Sequence, residues 1–348
     1  MNLDSRIQSF EMLGEKLRRY REDVDDPGMA SLTEAARQAF MRNPWFTPEL
    51  IRIALNNLGK ALESENLDRW LAPYKTRIEG LTGQKTIGVV MAGNIPAVGF
   101  HDFLCVLMAG HKIIAKLSAS DDQLLPAMAG ILTDFMPGWQ EMISFTSGKL
   151  ENFDAIIATG STNTSRYFEF YFGKYPHIIR KSRNSIAVLS GKENPQELQL
   201  VADDIMLFFG MGCRSISKIF VPSGYDFSTL IQALGRYAGY EHHNKYRNNY
   251  DYVKSIFLVG QVPFTDTGFL ILKEDPSIHS RIAVLHYEYY STPAEVVRSL
   301  RENEESIQCI TSTMELPVDY LGPGKGQNPA LWDYADRTDT MDFLLSLT

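Results

Sequence analysis

Cys213 lies in the stretch FFGMGCRSIS (208–217), where its neighbours can support chemistry at the sulfur. Gly212 lets a bound molecule approach the backbone closely, because glycine has no side chain. Arg214 places a positive charge beside the thiol, which favours the thiolate, the form that attacks electrophiles. From these residues alone, Cys213 is a nucleophile, a metal ligand or a small residue of the core.

The other residues that bind metals or form disulfides do not pair with Cys213 in the sequence. Cys105 and Cys309 are distant from it; Cys105 lies in an apolar predicted helix and Cys309 in a predicted strand, SIQCITS, and both are expected in the core. The chain has no Cys-x-x-Cys motif, and His242 and His243 are its only adjacent histidines. We therefore expect no metal site and no disulfide framework, which is typical of a reducing compartment.

Length and composition indicate an ordinary globular protein. The 348 residues are 44% hydrophobic and 22% charged, which predicts two domains and excludes a disordered chain. The formal net charge of -8 disfavours nucleic acid and anionic membranes as the main partners. The N-terminal residues lack the apolar core of a signal peptide, and polar residues interrupt the most apolar region, 87–117. We therefore expect a cytoplasmic protein that does not bind a membrane.

Apolar periodicity predicts α-helices over residues 1–80 and an α/β pattern after Lys85. Short β-branched runs alternate there with helical segments, which indicates a doubly wound, mostly parallel sheet. The polar turns MAGNIP, KLSAS and TGSTNT follow predicted strands, and such sheets bind ligands at the carboxyl ends of their strands. Further predicted strands are IIRKSRNSIAVLSG (178–191), SKIFVP, KSIFLVG (254–260), GFLILK and RIAVLHY.

The order of these segments resembles the aldehyde dehydrogenase superfamily. GVVMAGNIP, HKIIAKLSAS, ATGSTNTSRYF and GMGCRSISKIFV follow one another as the superfamily's Asn-x-Pro turn, strand-end lysine, Gly-Ser turn and cysteine motif do. The likeness covers roughly 85–221 and is greatest to the acyl-CoA reductase branch, which includes the fatty-acid reductase of bacterial luminescence. The segments AGNIP, NNYDY and GKGQNPALWDYAD also carry the likeness to that branch.

The resemblance implies an aldehyde-dehydrogenase-like α/β fold with an N-terminal helical region. Residues 1–185 would comprise the N-terminal helices and a nucleotide-binding domain with a doubly wound parallel sheet. Residues 186–320 would form a second α/β domain that carries the catalytic cysteine, and 321–348 would return to pack on the first domain. We also expect a homo-oligomer, and an acyl-activating enzyme is a further candidate partner.

The resemblance implies that Cys213 attacks the carbonyl carbon of an acyl thioester. Asn94 is the implied oxyanion donor, whose amide would act with the backbone N–H of Cys213 on the charge that develops at oxygen. From the residues alone, Asn94 is also an ordinary former of the turn before Pro96. Four basic residues are candidates to bind the phosphates of coenzyme A (CoA), or else are solvated surface charges: Arg180, Lys181, Arg183 and Arg214.

Five residues are implied to bind a nicotinamide cofactor: Lys116, Ser118, Gly160, Ser161 and Thr162. Lys116 and Ser118 would contact the adenosine ribose or its phosphate, and the other three would form the turn beneath the diphosphate. Many relatives that prefer NAD have a glutamate three residues after the lysine, where this chain has Ala119. Because no carboxylate there repels a 2′-phosphate, we expect use of NADP(H), with NAD as an alternative. From the residues alone, Lys116 can also end an exposed strand and Ser161 can cap a helix.

A glutamate of the oxidising members is absent. In those members it precedes the cysteine and activates the water that hydrolyses the acyl-enzyme; Arg180 falls near that position here, and residues 173–192 contain no carboxylate. Hydrolysis should be slow without a positioned base, as a thioester reductase requires. The resemblance, together with this absence, therefore implies NAD(P)H-dependent reduction of an acyl-CoA to an aldehyde through an acyl-cysteine. An aldehyde-oxidising dehydrogenase, an acyl-phosphate reductase and an inactive nucleotide-binding scaffold remain alternatives.

Two regions have no assigned role in this interpretation. A second family glutamate, which orients the nicotinamide ribose, has no counterpart, and the segment near its expected place offers only Asp275 and His279. The segment EHHNKYRNNYDY (241–252) is either a loop near the acyl entrance or a surface loop with packed tyrosines.

Overall fold

The computed structural model describes residues 1–21 and 27–347. The α-helices are, in chain order, α1 (Leu3–Arg19), α2 (Ala30–Arg42), α3 (Pro48–Ala61), α4 (Ser64–Leu71), α5 (Lys75–Glu79), α6 (Phe100–Ala109), α7 (Leu124–Phe135), α8 (Thr162–Phe172), α9 (Pro195–Met206), α10 (Ser228–Leu234), α11 (Asn244–Val259), α12 (Pro293–Glu302) and α13 (Thr340–Leu345). The β-strands are β1 (Thr86–Val90), β2 (Lys112–Lys116), β3 (Ile143–Thr146), β4 (Ala155–Thr159), β5 (His177–Arg180), β6 (Asn184–Val188), β7 (Ile216–Pro222), β8 (Thr265–Asp266), β9 (Ile271–Glu274), β10 (Val284–Tyr290) and β11 (Ile307–Ser312).

The chain divides into two compact units, each with its own sheet. The first comprises residues 1–181 and the chain from residue 330 onward, and the second comprises residues 182–329. The sequence placed domain boundaries at 185 and 320, whereas these units divide after Lys181 and after Pro329.

The first unit is built on a five-stranded parallel sheet with the order β3-β2-β1-β4-β5. The doubly wound parallel sheet predicted from the sequence is confirmed. Pairing in register places Val90 beside Lys116 and Lys116 beside Thr146, so the carboxyl ends of three strands share one edge. Helix α6 is buried along nearly its whole length and belongs to the apolar core of this unit.

Hydrogen bonds hold the C-terminal segment to the N-terminal helices within the first unit. Trp70 Nε1 donates to Tyr334 Oη at 2.8 Å, and Tyr74 Oη donates to Asp339 Oδ2 at 2.5 Å. A buried indole N–H costs free energy unless it finds an acceptor. These bonds therefore fix the segment where it completes the core.

The second unit is built on a six-stranded sheet with the order β11-β6-β7-β10-β9-β8. All of its pairs are parallel except the short antiparallel pair of β8 and β9. Residues at the starts of neighbouring strands therefore meet at one edge, as Ser185 of β6 does with Ile216 of β7. Cys213 lies just before β7, at this amino edge.

Two strand predictions from the sequence are wrong. The stretch 178–191 forms two strands, β5 and β6, that belong to different sheets, because the chain passes from one unit to the other after Lys181. The stretch 254–260 is the C-terminal part of α11, except for its final glycine. Its apolar run resembles a strand, but the buried residues Tyr246, Tyr250 and Val253 recur at helical spacing and decide the conformation.

Candidate active site

Cys213 is exposed at a tight turn, so it is not a core residue. The Ser215 N–H donates to the Gly212 carbonyl at 3.0 Å, and the Gly212 N–H donates to Ser215 Oγ at 3.2 Å. Ser185 Oγ donates to the Cys213 carbonyl at 3.0 Å and lies 3.0 Å from Cys309 Sγ. The backbone of Cys213 is therefore fixed from β6 while its side chain remains exposed.

The backbone that leads into this turn has left-handed residues. Phe208 has a φ of 55° and Phe209 a φ of 57°, which costs of order 1 kcal/mol or more for each non-glycine residue. Both side chains are buried, and the Phe209 ring packs against Tyr240 at 4.2 Å and Tyr246 at 5.7 Å between centroids. Burial of these rings offsets the strain and sets the direction in which the chain enters the cysteine turn.

The segment 241–252 takes part in this packing. Most of it forms the first half of α11, capped by the His243 side chain, which accepts from the Tyr246 N–H. Tyr246 and Tyr250 are buried at 1% and 2% exposure. The segment is therefore mostly helical, and its buried tyrosines include one that supports Phe209.

A second loop, residues 322–327, packs on the cysteine turn within the second unit. The buried Asp204 carboxylate accepts from the Gly324 N–H at 2.7 Å, and Gln327 Nε2 donates to the Asp204 carbonyl at 3.3 Å. A side chain at Gly326 would come within 3.0 Å of Asp204 Oδ1 and 3.3 Å of the Arg214 carbonyl, so only glycine fits there without a shift. Burial raises the pKa of Asp204 to about 6. In the sequence this stretch contributed only to the family likeness, through GKGQNPALWDYAD, because its contact with Asp204 joins residues 120 positions apart.

Asn94 is exposed in the turn between β1 and α6 of the first unit. The Ala97 N–H, three residues on, donates to Asp121 Oδ2 at 2.7 Å. A side chain at Gly93 would come within 2.5 Å of Ser118 Oγ. The turn that carries Asn94 is therefore seated directly on the loop that carries Ser118, one of the predicted cofactor residues.

The predicted cofactor residues lie at the carboxyl edge of the first sheet. Lys116 ends β2, is half-buried, and its ammonium makes no ion pair with any residue of the described ranges. Ser118 Oγ accepts from a backbone N–H two residues on, at 3.2 Å. Gly160 follows β4, and a side chain there would come within 2.8 Å of the Phe168 ring. The structure brings these residues to one edge, whereas Cys213 belongs to the second unit.

Ser161 caps α8, which the sequence had given as the alternative to cofactor binding. Its Oγ accepts from the Thr164 N–H at 3.2 Å. Thr162 is the first residue of α8, and its side chain lies outside the described part of the structure. The first-turn N–H groups of a helix favour anions, so this turn keeps a means of binding phosphate through its backbone.

Arg180 occupies a buried ion pair in the first unit. It is 4% exposed, and its Nη1 donates to both oxygens of Asp102, at 2.8 and 2.6 Å. Its other terminal nitrogen donates to Thr340 Oγ1 at 2.8 Å. Removing one partner of such a pair costs several kcal/mol, so Arg180 has a structural role and is not available to CoA phosphates.

The protonation of Asp121 should make stability depend on pH. Burial raises its pKa to about 7, and its Oδ1 has no hydrogen-bond partner among the described residues. The folded protein binds this proton more tightly than the unfolded chain, so the free energy of unfolding falls as pH rises from about 4 to about 7.

The variant Asp121→Asn keeps an acceptor for the Ala97 N–H but has no carboxyl group to titrate. As pH rises from 4 to 8, the free energy of unfolding of this variant should increase by at most about 4 kcal/mol relative to that of the wild type. Urea unfolding at several pH values measures this difference, and parallel pH curves would refute the assignment.

Residues 1–21 and 27–347 lack two further features, a metal-ligand cluster and a membrane-spanning helix. No group of three or more His, Cys, Asp or Glu residues is placed there to hold a metal ion. In the same ranges, no helix is long and apolar enough to cross a bilayer.

Solved structures with a similar fold include three bacterial enzymes. An oxidoreductase from Marinobacter aquaeolei is 13% identical, with 95% of this chain and 79% of that chain covered and a TM-score of 0.65. An aldehyde dehydrogenase from Pseudomonas aeruginosa is 12% identical, with 91% and 73% covered and a TM-score of 0.63. The NAD+ complex of an aldehyde dehydrogenase from Bacillus cereus is 14% identical, with 90% and 72% covered and a TM-score of 0.60.

These likenesses establish the aldehyde dehydrogenase fold, as the resemblance of the motifs predicted. Curated proteins give no sequence match to this chain. The family model for acyl-CoA reductase (LuxC) matches residues 17–235, which is more than half of the chain and includes Asn94, Lys116 and Cys213. The protein therefore belongs to the LuxC family of acyl-CoA reductases.

Proposed function

We propose that the protein reduces an acyl-CoA thioester to an aldehyde through an acyl-cysteine formed on Cys213. The Cys213 sulfur bonds to the carbonyl carbon, the carbon–sulfur bond to CoA breaks, and CoA leaves as its thiol. A bound nicotinamide cofactor would supply a hydride to the carbonyl carbon, and a proton from water would complete the thiohemiacetal. The bond between carbon and the Cys213 sulfur then breaks, which releases the aldehyde and restores the thiol.

The exposed position of Cys213 on a fixed turn is the main support for this function. In a chain of the acyl-CoA reductase family, Cys213 is exposed on a turn whose backbone is held by Ser185. A nucleophile must be reachable and must also be held in one place, since a loosely held group loses the advantage of proximity. An exposed side chain on a fixed backbone meets both requirements.

The surroundings of the chain before Cys213 favour reduction over hydrolysis. Arg180 lies near the place of the hydrolytic glutamate of oxidising relatives and is held by Asp102. The first carboxylate after this point, Glu193, accepts hydrogen bonds from Ser190 and Thr313, each at 2.6 Å from its Oε1. A guanidinium cannot act as a base, and these hydrogen bonds occupy the Glu193 carboxylate, so the acyl-cysteine should survive long enough to be reduced.

A product assay tests the proposal. The protein is mixed with acyl-CoA and NADPH, and aldehyde, carboxylic acid and free CoA are quantified together. We expect equimolar aldehyde, CoA and oxidised cofactor, with little acid. Acid without aldehyde would contradict reduction, and turnover of acyl phosphate but not of acyl-CoA would support the alternative reductase.

The first unit has the features that a nicotinamide cofactor requires. Lys116 presents a positive charge at the carboxyl edge of the sheet, and the turn at Gly160 brings the α8 N-terminus to the same edge. Lys116 would hold the adenosine ribose or its phosphate, and the α8 backbone would hold the diphosphate. The Bacillus cereus aldehyde dehydrogenase of similar fold binds NAD+. We infer that NADPH is accepted here because the exposed residue Ala119 carries no charge.

The variant Ala119→Glu should lower kcat/KM for NADPH by roughly ten- to hundredfold, because a carboxylate near a 2′-phosphate repels it. Its effect on NADH should be small or favourable, since a glutamate can accept hydrogen bonds from ribose hydroxyls. Steady-state kinetics with both cofactors measures the ratio. The variant Ala119→Gln, similar in size and uncharged, is the control; equal losses in both variants would mean that bulk, not charge, is responsible.

A further inference from the structure

The loop before β10, residues 275–280, is fixed to β7 by strong contacts. The Lys218 side chain is 1% exposed, and its ammonium donates to the Pro276 carbonyl at 2.6 Å while pairing with a carboxylate on β10. Ser217 Oγ donates to the Ile278 carbonyl at 2.7 Å. Burying a lysine costs free energy that its partners must offset. The conformation of this loop is therefore tightly specified, although its outer side chains face solvent.

His279 is an exposed residue of this loop, and its ring is oriented by Asn184. The Nδ1 atom of His279 lies 3.2 Å from Asn184 Oδ1, which is an acceptor. Nδ1 therefore carries the hydrogen, and Nε2 presents a lone pair. A histidine whose tautomer and orientation are set by a neighbouring oxygen is the usual arrangement of a catalytic base.

The order of the strands places this pair at the same edge of the sheet as the cysteine turn. Asn184 begins β6, and strand β7 lies between β6 and β10 in the sheet. His279 lies in the loop before β10 and its ring contacts Asn184 on β6. The ring must therefore cross the start of β7, the strand between them. Ser185 pairs there with Ile216 and also binds the carbonyl of Cys213. His279, Asn184 and the cysteine turn therefore share one edge of one sheet within the second unit.

We propose that His279 exchanges the proton of the Cys213 thiol and that Asn184 is the positioning residue for its ring. This inference rests on the proposed function. His279 Nε2 takes the proton from the Cys213 sulfur, and the resulting thiolate attacks the thioester carbon. The electron pair of the breaking bond goes to the CoA sulfur, which receives the proton from His279. The sum is acyl transfer from one thiol to another, with no oxidant or reductant.

Acylation by acyl-CoA in the absence of any cofactor tests this inference, because the nicotinamide cannot contribute. Loss of acyl-CoA is followed in single-turnover mixing for the wild type, His279→Ala, His279→Gln, Asn184→Ala and Asn184→Asp. We expect both His279 variants to acylate Cys213 about 100-fold or more slowly. Asn184→Ala should lose part of the rate and Asn184→Asp should retain it, since a carboxylate also accepts from Nδ1. His242→Ala, which removes an exposed histidine elsewhere in this unit, should acylate as the wild type does.

A change of leaving group separates proton transfer from a structural effect. An aryl thioester releases a more acidic thiol that does not need protonation, so the deficit of His279→Ala should shrink with that substrate. An equal deficit with alkyl and aryl thioesters would overturn the inference. Unchanged acylation accompanied by a raised KM for NADPH would also overturn it, because His279 would then act on the cofactor. Absence of acylation in the wild type would instead refute the proposed function itself.

Discussion

Cys213→Ser should reduce the rate of acyl-CoA reduction by at least about 1,000-fold. A hydroxyl at this position is hardly ionised near neutral pH and is a far weaker nucleophile than a thiol, so the acyl-enzyme should form very slowly. The side chain is exposed, and the turn is fixed through backbone atoms of Gly212, Ser215 and Cys213 itself. The substitution should therefore leave the fold unchanged.

Steady-state NADPH oxidation and thermal unfolding together measure this prediction. The midpoint of unfolding should stay within about 1 °C of the wild type, because an exposed substitution changes stability little. Cofactor binding should persist, since the predicted cofactor residues belong to the first unit. A variant that keeps a tenth or more of the activity would show that Cys213 does not form the intermediate.

Asn94→Ala should lower kcat for acyl-CoA reduction by about 100- to 1,000-fold. If its amide donates to the oxyanion, it stabilises charge that is present in the transition state and not in the bound thioester. KM should therefore change little. Asn94 is exposed, and the Ala97 N–H anchors its turn to Asp121, so folding should persist.

The variant Asn94→Asp is the stricter test. It keeps the shape of the side chain but places an acceptor, and at neutral pH a negative charge, where a donor is required. Its kcat should fall at least as far as that of Asn94→Ala. Pre-steady-state measurement of CoA release gives the acylation step alone, and near-normal acylation by Asn94→Asp would limit the residue to a role in the turn.

Much of the first unit could be predicted from local sequence. The runs at β1, β2 and β4 are short and β-branched, and each ends in a polar turn. The apolar pattern and the turn residues therefore predict the same strands. The prediction that Lys116, Ser118 and Gly160 share an edge then follows from parallel strands alone. The cofactor-binding roles of these three residues came from the family resemblance, because the geometry of the sheet does not assign them.

The second unit was harder to predict because long-range contacts determine its conformation. The end of α11 contains an apolar run that is typical of a strand, but the burial of Tyr246, Tyr250 and Val253 at helical spacing favours a helix. The break at Lys181 carries no glycine or proline to mark it. The bonds from Ser185 to Cys213, and from His279 to Asn184, join residues 28 and 95 positions apart. No local pattern indicates such pairs.

Intact-mass spectrometry of the protein mixed with acyl-CoA, with no cofactor present, tests the central claim most directly. The proposed mechanism predicts a mass increase of one acyl group, located on the peptide that contains Cys213 and removed when NADPH is added. An adduct on Cys105 or Cys309 instead, or no adduct on folded protein that binds NADPH, would contradict it.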